Sequence, residues 1–178
     1  SAQVPEQFSL SVGGVQATLR DVVLPNGLKL DSLSVAGEAL AITSDPFTMA
    51  LKEPGRAEVR LRQPSIEAFL LPQLPDTLRD VTIRLIPGYV VANATMRVMF
   101  EMRGTAKFVL RVVGDSELHV EVESVDVFSG VAKPMIEKQL AAINPVFDTK
   151  DLPLRLKLTS ARIEAGEVIV EGLVEGTP

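Results

Sequence analysis

An α+β fold is predicted for this 178-residue chain: a long, strongly curved antiparallel β-sheet wrapped around a helix in the C-terminal half, with a second short helix. Three observations predict it. Period-two alternation of apolar and polar residues dominates, and it runs unbroken for seven steps between Tyr89 and Arg103. Turn dipeptides punctuate that alternation. Only two segments replace it with helical spacing. A sheet long enough to curl, with an apolar helix to wrap around, gives a layered α+β architecture.

The N-terminal third reads as strands over Phe8–Val12, Val15–Leu24, Leu28–Ile42, Phe47–Leu51 and Arg56–Arg62. Asn26-Gly27 between two apolar runs signals a hairpin. The first helix is expected over Ser65–Leu71, where Ile66, Phe69 and Leu70 share a face and Pro72 and Pro75 stop it. Val81, Ile83 and Leu85 lead to Pro87-Gly88, a two-residue loop.

The segment Tyr89–Arg103 reads as one strand. Its 15 residues would span about 50 Å at about 3.3 Å each, so it must bend or change partners. A three-residue loop, Arg103-Gly104-Thr105, is expected next. That register sets Met102 opposite Ala106, Glu101 opposite Lys107 and Arg97 opposite Arg111. Gly114-Asp115 marks another turn. Phase slips after Val122 and after Leu158 predict bulges. The second helix is expected from Val131 to Asn144, capped by Ser129, with Pro134 in its first turn. Ala132, Ile136, Leu140 and Ile143 form its apolar stripe. The whole reads as one domain, 1–178: N-terminal strands over 1–62, then helix, strand ladder, helix and strand pair over 63–178.

Composition excludes several functions. The chain is 46% apolar, has no cysteine and one histidine, and carries a net charge of −5. Disulfides and cysteine-based zinc sites are ruled out. With seven Phe, one Tyr and no Trp, an acidic chain is poorly suited to nucleic acid, which wants cationic grooves and stacking rings. His119 with Glu121 and Glu123 shares a strand face, but solvated charges account for it better than a metal site. No nucleophile elbow or phosphate loop occurs. No enzyme activity, metal or cofactor is expected. Asn93-Ala94-Thr95 matches a glycosylation sequon and reads as an ordinary strand position. No basic stretch followed by an apolar one marks a signal peptide near Ser1.

The candidate site is the apolar face itself. Val90, Ala92, Ala94, Met96, Val98, Phe100 and Met102, with Phe108, Leu110 and Val120, would face Ile136, Leu140 and Ile143. A 14-residue helix spans about 21 Å, too little to cover that strand. Ala92 and Ala94 leave space at one end. Two readings stay open: an apolar ligand groove or a filled core. Arg97, Arg103, Lys107 and Arg111 share the outer face. They form either a patch for anionic headgroups or a solvated face balanced by Glu101, Glu121 and Glu123.

The order of phrases from Arg56 onward adds a resemblance. The short helix Ser65-Ile-Glu-Ala-Phe-Leu-Leu precedes a strand ladder from Leu78 to Arg103. Then come Leu118-His-Val-Glu-Val-Glu-Ser-Val-Asp-Val and the helix Lys133-Pro-Met-Ile-Glu-Lys-Gln-Leu. Asn144-Pro-Val-Phe, Leu152-Pro-Leu and Gly172 close the series. This order resembles the LmeA-like phospholipid-binding family of bacterial envelope proteins. The resemblance implies a tubular lipid-binding-like half-barrel and a phospholipid or other acyl-chain ligand. It also implies an extracytoplasmic location, in the periplasm or cell envelope, with an export signal or anchor outside this stretch. A membrane surface is admitted as a further partner. The alternative is an envelope structural or interaction domain with a filled core.

Overall fold

In a computed structural model of the chain, residues 8–11, 15–38, 40–43, 47–51, 54–97, 99–126 and 132–175 are described. Alternation becomes strand from the start: β1 (Phe8–Ser11), β2 (Val15–Val23) and β3 (Lys29–Gly37) pair antiparallel. The turn between β2 and β3 is the one Asn26-Gly27 signals. Gly27 takes φ +93°, open to glycine without a Cβ clash. Asn26 Oδ1 accepts from the Leu28 amide at 3.1 Å.

The expected run Leu28–Ile42 is broken. β3 ends at Gly37, and β4 (Leu40–Thr43) pairs with β5 (Thr48–Leu51) as a separate ribbon. The reason is packing at Gly37, where a Cβ would lie 2.7 Å from Leu51 Cδ1. The missing side chain lets Leu51 cross the end of β3. β6 (Gly55–Arg62) then returns beside β3.

The first helix, α1 (Gln63–Leu70), has Pro64 in its first turn, where a missing N–H costs nothing. Its start is tied to β3 by Asp31. Asp31 accepts from the Arg62 amide at 2.6 Å and from Ser65 Oγ at 3.0 Å.

The ladder β7 (Leu78–Ile86), β8 (Tyr89–Arg97), β9 (Glu101–Val113) and β10 (Glu117–Asp126) follows. After it come α2 (Ala132–Ile143), β11 (Phe147–Asp148), β12 (Leu156–Glu164) and β13 (Glu167–Val174). The proposed cap, Ser129, lies outside the described residues. Both expected bulges are present, between Val122 and Ser124 and between Leu158 and Ser160.

One sequence expectation is corrected here. Tyr89–Arg103 is two strands, not one. The last β8–β9 pair is Arg97 with Glu101, so Arg97 faces an acid and not Arg111. Met102 sits opposite Met96, and Lys107 opposite Val91. The parity argument fixed only that paired positions sum to an even number. A turn between Arg97 and Glu101 satisfies it as well as one at Gly104. Gly104 instead sits mid-strand, opposite Ala94.

The strands form sheets in the orders β1-β2-β3-β6-β13-β12 and β11-β10-β9-β8-β7. Backbone bonds join them: Leu158 N–H to Asp115 O at 2.7 Å, Gly88 N–H to Ile163 O at 2.9 Å, and Gly166 N–H to Leu85 O at 3.1 Å. β12 therefore lies across the ends of β7, β8 and β9 and closes a curled half-barrel. The packed core runs from the first sheet into the second, where it takes in Ile83, Leu85, Val90, Leu118 and Phe147. Leu19, Leu33, Val59 and Val170 stand in one cross-strand row and are each almost fully buried. Each such side chain contributes about 1.5–3 kcal/mol on burial.

Candidate functional site

The second sheet is less completely packed: Ile83, Leu85, Val90, Leu118 and Phe147 join the core, but Phe108, Leu110 and Val120 stay half-buried at its edge. Its concave face, both helices and part of the first sheet surround an apolar cavity of about 150 Å³. Val90, Ala92 and Ala94 of β8, Phe108 and Leu110 of β9, and Val120 of β10 supply one wall. Ile136, Leu140 and Ile143 of α2 supply the facing one. The even-numbered face therefore points inward across the ladder, as period two requires.

Not every residue of that face reaches the cavity. Met96 is buried but lies beyond the lining, and Met102 is half-buried opposite it. Phe100 is 67% exposed in the hairpin turn, because the strand expected to carry it inward has already reversed. Val98 lies outside the described residues.

Further lining was not assigned from the sequence. Ile66, Phe69 and Leu70 of α1, with Leu74 and Pro75 after it, close one side. The signal was visible as α1's own apolar stripe, but its direction depends on how α1 is anchored. Gln63 does that: its amide N–H donates to Gly166 O at 2.9 Å, and its Oε1 accepts from the Leu85 amide at 3.0 Å.

Among the described residues, Gln139 is the one polar side chain in the lining, and its Nε2 donates to Gln73 O at 2.7 Å. This bond ties α2 to the segment following α1. At its other end α2 is held by Asn144, whose amide exchanges two 2.9 Å bonds with the Val120 backbone. The helix stripe is nonetheless only half-buried at Ile136, Leu140 and Ile143. So are Phe108, Leu110 and Val120 opposite. Apolar groups facing each other without filling the gap leave their dispersion partners unmade.

The four basic candidates all stand on the convex face but do not form one cluster. Arg103 and Arg111 are eight residues apart on β9, about 26 Å. Arg111 pairs with Glu121, and Lys107 Nζ stands 5.3 Å from the Tyr89 ring centroid. Among the described residues, Arg97 and Arg103 make no ion pair. His119 Nε2 lies 2.9 Å from Glu117 Oε1, and no group of three metal-ligating side chains occurs among the described residues. Asn93 accepts from Thr105 Oγ1 at 2.6 Å, a cross-strand structural bond.

A second depression near the β9–β10 turn holds Asp115, Asp148, Lys150, Lys157 and Glu175. Some of its charges are used structurally: Asp148 caps the turn at Lys150, and Lys157 pairs with Glu175 at 3.2 Å.

An apolar cavity under a helix, in a curled antiparallel sheet, suits an acyl chain. The model of the LmeA-like phospholipid-binding proteins matches residues 11–172. The chain belongs to that family. The match covers both helices, the whole second sheet and, among the described residues, all the cavity-lining positions. No curated protein and no solved structure matches the chain. Among the described residues, no helix of this LmeA-like chain is long and apolar enough to cross a membrane.

Proposed function

We propose that this protein binds and carries a phospholipid by its acyl chains, without catalysis, at the extracytoplasmic side of a bacterial cell envelope. One observation carries the reading. Ile136, Leu140 and Ile143 of α2 and Phe108, Leu110 and Val120 of the second sheet line the cavity from opposite walls and stay half-buried. A filled-core interaction domain would bury them, so the same residues weigh against that alternative. Family membership supports a phospholipid as the ligand class. The envelope location and the absence of catalysis are part of this proposal; Gln139, already bonded to a backbone carbonyl, offers the cavity little chemistry.

Burial of each methylene contributes about 0.8 kcal/mol. A dry apolar cavity near 150 Å³ accommodates a benzene-sized group. It therefore takes a segment of one chain as it stands, and deeper uptake requires α2 to move outward.

The test is native mass spectrometry with lipid extraction on protein purified from bacteria. A bound phospholipid at one per chain is expected. Lipid-free protein that also fails to take up labelled phospholipid would sink the proposal. Ala94→Trp, which places an indole in the cavity, should abolish uptake while the protein stays folded. A folded variant with uptake intact would move the ligand elsewhere.

A further inference from the structure

The β8–β9 turn exposes what turns usually do not. Met99 is 91% and Phe100 67% exposed, side by side at the tip of a hairpin. Apolar side chains at such a place are costly in water and stabilise an interface that buries them. We infer that this tip is the element that docks the protein on an anionic lipid bilayer, with Met99 and Phe100 inserted below the headgroups.

Charge on the adjoining face fits that partner. Arg97 precedes the turn. Arg79, Thr95 and Arg103 stand in one row across β7, β8 and β9. Arg79, Arg97 and Arg103 are exposed and make no ion pair among the described residues. Farther from the tip the same face carries Arg84 and Lys107. The acids near the tip are Glu101, Asp76 and Asp80, with Asp126 on β10. The β7–β9 face is thus cationic on a chain whose net charge is −5. Guanidinium groups beside inserted apolar residues are what a lipid interface accepts. A second copy of the chain is a poor alternative, because two side chains bury far less than the roughly 800 Å² per partner of a stable interface.

The tip also sits at one end of the cavity. Ala94 lines the cavity, and the next inward pair toward the turn is Met96 with Met102. Leu78, another lining residue, pairs with Met96, and the Arg97 amide donates to Thr77 O at 3.1 Å. The fully buried Met96 and the half-buried Met102 therefore stand between the tip and the acyl site, and a chain passing from bilayer to cavity would have to displace these two flexible side chains. That route rests on the cavity being a lipid site. The docking does not.

The chain contains no tryptophan, so Phe100→Trp supplies a single reporter at the tip. With vesicles of phosphatidylglycerol and phosphatidylcholine, its emission should shift to the blue and be quenched by brominated acyl chains. An unshifted emission from vesicle-bound protein would overturn the inference. In co-sedimentation, Met99→Ser with Phe100→Ser should weaken binding about tenfold, 1.4 kcal/mol. Arg97→Gln with Arg103→Gln should remove the preference over pure phosphatidylcholine and the sensitivity to added salt. Serine-variant binding equal to the parent, or no binding by the parent, refutes the tip. Ala94→Trp separates the two proposals: blocked in uptake, it should still sediment with vesicles.

Discussion

Asn144 shows how much one side chain can hold. β11 pairs with β10 only at Glu117 and Leu118. Two residues on, Val120 would face the end of the ladder. The Asn144 amide takes the place of a strand there, accepting from the Val120 N–H and donating to its carbonyl. Asn144→Ala leaves both groups without those partners. A loss of about 1–3 kcal/mol is expected, measured as a lower urea midpoint with faster amide exchange at Val120. An unchanged midpoint would show that water replaces the side chain. In the sequence, Asn144-Pro145 reads only as a helix stop. The bonds it makes reach back 24 residues, and no local pattern encodes a partner at that distance. Asp31, tying the start of α1 to a different element, was hidden for the same reason.

At the scale of elements, the strands and both helices were legible because their periods are local properties of the chain. The β8–β9 hairpin marks where period runs out. Its apolar alternation continues through Met99 and Phe100, so nothing in the pattern announces a reversal. Parity keeps Ala92, Ala94 and Phe108 on the inner face wherever the turn falls, which is why most of the lining positions did not depend on locating it. Phe100 did depend on it, and it points to water. The last hairpin offers a pH test. Arg162 Nη1 bonds Glu171 Oε1 at 2.7 Å across β12 and β13. That hydrogen bond, then the guanidinium charge, holds the Glu171 carboxyl below its ordinary range. With the folded value the lower one, the contribution is full above the ordinary glutamate range and fades as pH falls through the folded value. Glu171→Gln should therefore lose less stability than the parent between about pH 6 and about pH 3. The difference will be small, because the pair is exposed. Identical acid limbs in chemical denaturation would assign the pair no role.

For the whole molecule, the mismatch between a cavity near 150 Å³ and a two-chain lipid makes a prediction about motion. α2 packs mainly on β10 and is tied at Gln139 and Asn144. It is the wall with least to lose on moving. The chain has no cysteine, so Lys138→Cys on α2 and Arg84→Cys on the convex face take spin labels cleanly. Their separation should grow by several ångströms on lipid loading, about the displacement of packed helices in known switching proteins. A one-to-one lipid complex with an unchanged separation would place the chains elsewhere.

The sequence by itself determined the class of fold, the inward face of Ala92, Ala94, Phe108 and Leu110, two of the bulges, the two helices and the kinship with phospholipid-binding proteins. All of these follow from periods of two and 3.6 residues and from the order of phrases along the chain. Tertiary structure decided where β8 reverses, that Leu51 crosses β3 at Gly37, and that α1 turns Ile66, Phe69 and Leu70 toward the same space as α2. It also decided that this space stays open. Whether facing apolar surfaces meet or stand apart depends on the distance between elements, and that distance is set by anchors such as Gln63, Gln139 and Asn144, whose partners lie far along the chain.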